Sequence, residues 1–178
     1  MAGFDNGAVP KVFYGESVNE PAGSPPGDGD QDDIEPMREA LAEAELAVAH
    51  GDVPVGAVAV IDGEIVARAH NERERQGDPT AHAEILLLRR LAAHLGTWRL
   101  DDATVYATLE PCPMCAGALV AARVGRLVFA ASDPKAGACG SLYNLCVDPR
   151  LNHELVVQSG VLASEAGRAL SEFFAQRR

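Results

Sequence analysis

Residues 103–131 constrain the fold more than any other stretch. Residues 103–109 (ATVYATL) are apolar and β-branched, and residues 113–124 (PMCAGALVAARV) suit a helix. Arg126–Ala131 (RLVFAA) is again a strand. Two strands joined through a helix must run parallel, with a right-handed crossover. Parallel strands bury both faces, so helices must lie on each side of the sheet.

The rest of the chain supplies the other elements. Met37, Leu41, Ala44 and Val48 fall at i, i+4, i+7 and i+11, one stripe of a helix, with Pro36 in its first turn and Gly51 at its end. Residues 55–61 and Glu64–His70 read as a hairpin around the two-residue turn Asp62-Gly63. Residues 71–79 are a polar loop. Thr80 can cap a helix that stops at Gly96, and its leucines cover enough of its circumference to predict burial. A loop over about 132–152, a short strand at 155–157 and a last helix capped by Ser164 complete the chain. The sum is an α/β fold, a three-layer α/β/α domain around a five-stranded mixed sheet. Of the 178 residues 47% are hydrophobic, enough for such a core.

Residues 1–33 are expected to be a disordered acidic leader, because 19–33 are dense in Pro, Gly, Ser and Asp without periodicity. The remaining domain is 34–178. The formal net charge of −11 argues against a nucleic-acid partner. Residues 1–35 hold −7 of it, however, so the body carries only −4. A local basic patch on such a body still suffices to bind phosphate. No apolar run approaches the length of a membrane span, and the first ten residues do not resemble a signal peptide. Four cysteines in such a chain point to a reducing compartment, the cytoplasm.

Two segments carry the chemistry: His82-Ala83-Glu84 and Pro111-Cys112-Pro113-Met114-Cys115. Each lies where a helix begins. Cys112 and Cys115, three apart, share one helix face, and a helix N-terminus favours thiolate. Two thiolates and the His82 imidazole make three ligands for Zn²⁺ and leave the fourth position open to water, as in catalytic zinc sites. Glu84 is the candidate proton shuttle. On an ideal helix His82 and Glu84 would point to nearly opposite sides, so the helix start must be irregular or the ligand must reach round its end. Each part alone has a plainer reading: a Cys-x-x-Cys can be redox-active or structural, and a first-turn glutamate can simply favour the helix dipole. In this order, with Pro before the first cysteine, they form the known signature of zinc-dependent nucleobase deaminases.

With these residues the chain resembles the bacterial tRNA-specific adenosine deaminases of the cytidine deaminase superfamily. The resemblance runs from about Met37 to Phe174 and is most specific at VPVGAV (53–58), DPTAHAEI (78–85), TLEPCPMCAGA (108–118) and GACGSL (137–142). It implies a cytidine-deaminase-like fold, one zinc ion per subunit and a homodimer. The implied reaction turns the wobble adenosine of a tRNA, expected to be an arginine tRNA, into inosine. The implied partner is the anticodon stem-loop. Asn71 matches a residue that bonds the flipped base, and Val55 and Ala83 match positions lining its pocket. Asp133 matches a contact to the neighbouring ribose, although an Asp-Pro pair also simply starts a turn. Phe173 and Phe174 match the closing aromatic pair, and Arg177 fits a basic C-terminal helix. The alternative is a zinc-dependent deaminase of a free base or nucleoside, guanine or cytosine in type. Cys139 and Cys146 fit no ligand spacing and read as small apolar residues, and His153 has no assigned role.

Overall fold

The computed structural model describes residues 31–177. Its elements in chain order are α1 (Gln31–Val48), β1 (Gly56–Ile61), β2 (Glu64–His70), α2 (Arg73–Gln76), α3 (Ala83–Leu95), β3 (Thr104–Leu109), α4 (Pro113–Ala121), β4 (Arg126–Ala131), β5 (Val156–Ser159) and α5 (Ala163–Ala175). The five strands form one sheet in the order β2-β1-β3-β4-β5. β3, β4 and β5 are parallel, and β1 is antiparallel to both its neighbours, so the sheet is mixed as expected.

Strand alternation divides the core between two faces. Val58, Tyr106 and Val128 face α1 and α5, where Met37, Ala40 and Ala166 are buried. Ala57, Val105 and Leu127 face the other way, against Leu87 and Leu91 of α3 and Leu119 of α4. The three layers follow from this pattern. α1 lies directly on β1: a Cβ on Gly56 would stand 2.1 Å from the Ala40 carbonyl oxygen, so only glycine permits the approach. The hairpin turns at Asp62 (φ 52°) and Gly63 (φ 79°), the two left-handed residues that an Asp-Gly turn supplies.

Several boundaries differ from the sequence reading, each for a tertiary reason. α1 starts at Gln31, so residues 31–33 of the expected leader are helical, Pro36 lies inside the helix, and residues 1–30 lie outside the described residues. Asp33 anchors this extra turn. It is 1% exposed and accepts bonds from Tyr106 Oη (2.8 Å) and from both Arg126 Nη atoms (2.7 Å each). Thr80 does not cap α3. It donates to Asp78, and His82 occupies the N-cap position. Ser164 does not cap α5, which follows the left-handed Leu162 (φ 55°). The polar loop contains α2, whose Glu74 and Arg75 N–H groups donate to the buried Asp52 carboxylate. α4 ends at Ala121, before the left-handed Arg123 (φ 63°).

Candidate active site

Two helix starts meet at the C-terminal end of β3. His82 is the N-cap of α3 with extended backbone (φ −73°, ψ 152°), and Cys112 is the N-cap of α4, also extended (φ −71°, ψ 171°). Neither side chain follows the helical period, and this resolves the geometric difficulty of His82 and Glu84. His82 reaches round the helix end while Glu84 sits in the first turn. Cys115 lies one turn into α4 and is fully buried.

The three ligand atoms form a near-equilateral triangle. Cys112 Sγ is 3.7 Å from Cys115 Sγ and 3.7 Å from His82 Nδ1, and Cys115 Sγ is 3.5 Å from His82 Nδ1. Tetrahedral ligands at about 2.3 Å (sulfur) and about 2.05 Å (nitrogen) from one zinc ion would lie about 3.8 Å apart (S–S) and about 3.6 Å apart (S–N). The donor set and its spacing therefore fit a divalent zinc-like ion. Among the described residues it is the only cluster of three or more His, Cys, Asp or Glu with ligand-like spacing. A bond from the Cys115 thiol and one from His82 hold Cys112 down to about 3, and Cys112 in turn holds the Cys115 thiol far above its ordinary range.

A cavity of about 220 Å³ opens beside this triangle. Glu84, 4% exposed, lines it, and burial pushes its carboxyl above the usual range. Val55, Ala83, Asn71 and Asp133 line the same cavity, so it brings together four residues that the resemblance singles out. Asn71 Nδ2 donates to the Val53 carbonyl (3.4 Å), while its buried Oδ1 has no partner. A buried amide oxygen without a bond is costly, and a polar ligand in the cavity would satisfy it. Asp133 does start a turn: its Oδ1 accepts from the N–H groups of Lys135 (2.9 Å) and Ala136 (3.2 Å). The same residue also lines the cavity.

Phe173 and Arg177 lie elsewhere, on a second cavity of about 430 Å³ that shares Val53, Asn71 and Arg73 with the first. Arg177 is held there, with its guanidinium 3.7 Å over the Phe173 ring and Nη2 bonded to the Gly51 carbonyl at 2.9 Å. Phe174 lines neither cavity. It is 51% exposed and edge-on to Phe173. Sequence reasoning missed Glu110 and Arg73, both on the first cavity's wall. Glu110 lies within a quoted motif, yet nothing local shows that its partners stand 23 to 31 residues on. His153 has a structural role, with Nε2 bonded to the Val124 carbonyl at 2.8 Å. Cys139 and Cys146 are buried against one another, as small apolar residues would be.

The profile of the MafB19-like deaminases matches residues 31–178. A tRNA-specific adenosine deaminase of Bacillus subtilis (strain 168) is 55% identical over 142 residues, covering 80% of this chain and 88% of that protein. One from Haemophilus influenzae is 51% identical, covering 80% and 83%. Among solved structures, a protein studied for A-to-I editing by tRNA:A34 deaminases at the wobble position matches with a TM-score of 0.74 and 43% identity, over 76% of this chain and 99% of that one. The guanine deaminase of Nitrosomonas europaea matches with a TM-score of 0.70 and 25% identity, over 79% and 83%.

Proposed function

The chain belongs to the family of tRNA-specific adenosine deaminases, and on that premise we propose that it hydrolyses the wobble adenosine of a tRNA to inosine and ammonia, with zinc as its cofactor. The observation that carries this reading is one cavity beside the His82–Cys112–Cys115 triangle, lined by the buried Glu84 and by Asn71, whose Oδ1 has no partner.

His82, Cys112 and Cys115 would hold one zinc ion per subunit. Zinc held by three protein ligands lowers the pKa of a water toward about 7, which provides a nucleophile at neutral pH. Glu84 would take a proton from the attacking water and pass it to N1 of the purine as the C6–O bond forms. It would then take the remaining proton from the new C6 hydroxyl and hand it to the amine as the C6–N bond breaks, so one water enters and one ammonia leaves. Asn71 offers its unpartnered Oδ1 to a donor on the base, which fixes which edge faces Glu84. Val55 and Ala83 offer the base small apolar surface in the cavity wall. Asp133 accepts a bond from a ribose 2′-hydroxyl, and Phe173, Phe174 and Arg177 flank the path of the adjoining nucleotides. An arginine tRNA is the substrate we take from the family resemblance, and the cytoplasm is the matching location. Among the described residues no helix is long and apolar enough to cross a membrane.

We take the outer faces of α3 and α4 as the homodimer surface. Ile85, Leu88, Ala92, Trp98, Ala118 and Ala121 line a shallow apolar depression there, and Trp98 is 60% exposed. Such a patch invites burial against a second copy. Light scattering should give the mass of a dimer, and Trp98→Glu should shift it toward a monomer.

The experiment that tests the activity compares substrates. The zinc-loaded protein is given an anticodon stem-loop with adenosine at the wobble position, then free adenine, guanine and cytosine. Inosine in the stem-loop, with no ammonia from the free bases, is the expected outcome. Ammonia from guanine or cytosine with an inert stem-loop would overturn the reading in favour of a free-base deaminase.

A further inference from the structure

Glu110 is 2% exposed and stands two residues before Cys112, on the wall of the substrate cavity. The loop after β4 wraps around its carboxylate. Oε2 accepts from the Asp133 N–H (2.9 Å) and from the Ser141 hydroxyl, and Oε1 accepts from the N–H groups of Cys139 and Ser141 (2.9 Å each). A carboxylate can accept about four bonds, and all four donors come from this one loop. The wrapping is close enough that a Cβ on Gly137 would lie 2.3 Å from the Glu110 carboxyl. The loop is tied to the metal-site segment a second time, by the Ala138 N–H on the Pro111 carbonyl (2.9 Å). Asp133 and Ala136 of this loop line the cavity.

We propose that Glu110 is a positioning residue for substrate, acting through Asp133: it preforms the 133–141 loop so that Asp133 already stands against the cavity before RNA arrives. This rests on the reading above that Asp133 meets the substrate. A preformed loop spares the ordering cost on binding, so Glu110 sets KM more than the chemical step. The bond pattern predicts a selective variant. In Glu110→Gln the amide nitrogen cannot take the Oε1 position, where it would face two N–H donors. It takes the Oε2 position, where the Ser141 hydroxyl can turn and accept. Only the Asp133 N–H then loses its acceptor.

The test uses the full zinc-loaded chain and an adenosine stem-loop. Glu110→Gln should raise KM roughly tenfold, the scale of one bond to a charged acceptor, with kcat changed less than about threefold. Zinc per chain should stay the same. Hydrogen exchange should quicken at Asp133 while Cys139 and Ser141 stay protected. In an Asp133→Asn background the same substitution should raise KM much less, since the residue it acts through is already altered. A fall in kcat at constant KM, or unchanged exchange at Asp133, would overturn the proposal and leave Glu110 as a purely structural residue. Should Asp133→Asn alone leave KM unchanged, the ribose reading fails by itself. The Glu110→Gln result still decides whether the loop is positioned from Glu110. Ser141→Ala removes only the hydroxyl donor and serves if Glu110→Gln does not fold. It should raise KM in the same direction by a smaller factor, and no change in KM or loop exchange would count against the proposal.

Discussion

At the scale of single residues, the proposed roles of holding the metal and moving the proton fall on different side chains and can be tested separately. Cys112 is one corner of the triangle, and a hydroxyl is a poor substitute for thiolate. Cys112→Ser is expected to lose zinc and activity together, and full zinc occupancy by elemental analysis would remove it from the ligand set. Glu84 lies outside that triangle. Glu84→Gln keeps its shape, so zinc should stay while kcat falls by about 10²–10⁴-fold, the usual contribution of a general acid–base group. An unchanged kcat would make Glu84 only a packing residue. Asp133→Asn is a clean probe because an amide oxygen can still close the turn onto Lys135 and Ala136. It removes the charge and adds a donor, so it should narrow the preference for RNA over DNA, mainly by raising kcat/KM on a deoxyadenosine stem-loop. A constant RNA-to-DNA ratio would leave Asp133 with the turn alone.

At the scale of elements, the first turn of α1 is fixed by the Asp33 ion pair across the sheet. Burial alone would raise the Asp33 pKa, but the bonds from Arg126 and Tyr106 outweigh it and hold the carboxyl below its ordinary 3.8. A carboxylate whose pKa is depressed on folding adds stability that is fully present above about pH 4 and fades as pH falls through the folded value. Asp33→Ala should therefore cost about 2–3 kcal/mol at pH 7, somewhat below a fully buried pair because Arg126 is 30% exposed. The gap between variant and wild type should shrink as pH drops from 4 toward 2. Urea melts at several pH values measure it, and a gap that stays constant with pH would mean that the charge on Asp33 contributes nothing. The same pair defines where the chain can be cut. Removing residues 1–33 should lower Tm relative to removing 1–30, because only the longer cut takes Asp33.

At the scale of the whole molecule, the question is how a chain of net charge −11 holds a polyanion. Residues 1–30 carry five acidic side chains and one lysine, while Arg73 stands at the mouth of the active-site cavity and Arg177 beside it. Binding to a stem-loop should weaken steeply with salt, by roughly 0.7–0.9 log units per log unit of salt for each phosphate neutralised. Cutting away residues 1–30 should leave affinity equal or better, because it deletes four net negative charges. Weaker binding after that cut would make the segment a contact surface.

The sequence by itself determined the layer architecture and the chemistry. Periodicity and the strand–helix–strand run at 103–131 are local facts, and each of the two short motifs at the helix starts is legible within a few residues, although the structure must bring them together across 30 residues of chain. Tertiary structure decided whatever depends on partners far along the chain. Asp33 reads as one more acid of a polar leader until Tyr106 and Arg126, 73 and 93 residues on, enclose it. Glu110 reads as a neighbour of Cys112 until the backbone of residues 133–141 closes over it. The cap of α3 fell to His82 rather than Thr80 because the imidazole is drawn out of the helix toward two thiols on another helix. Propensity is summed over neighbours in sequence, whereas a buried charge takes its environment from neighbours in space.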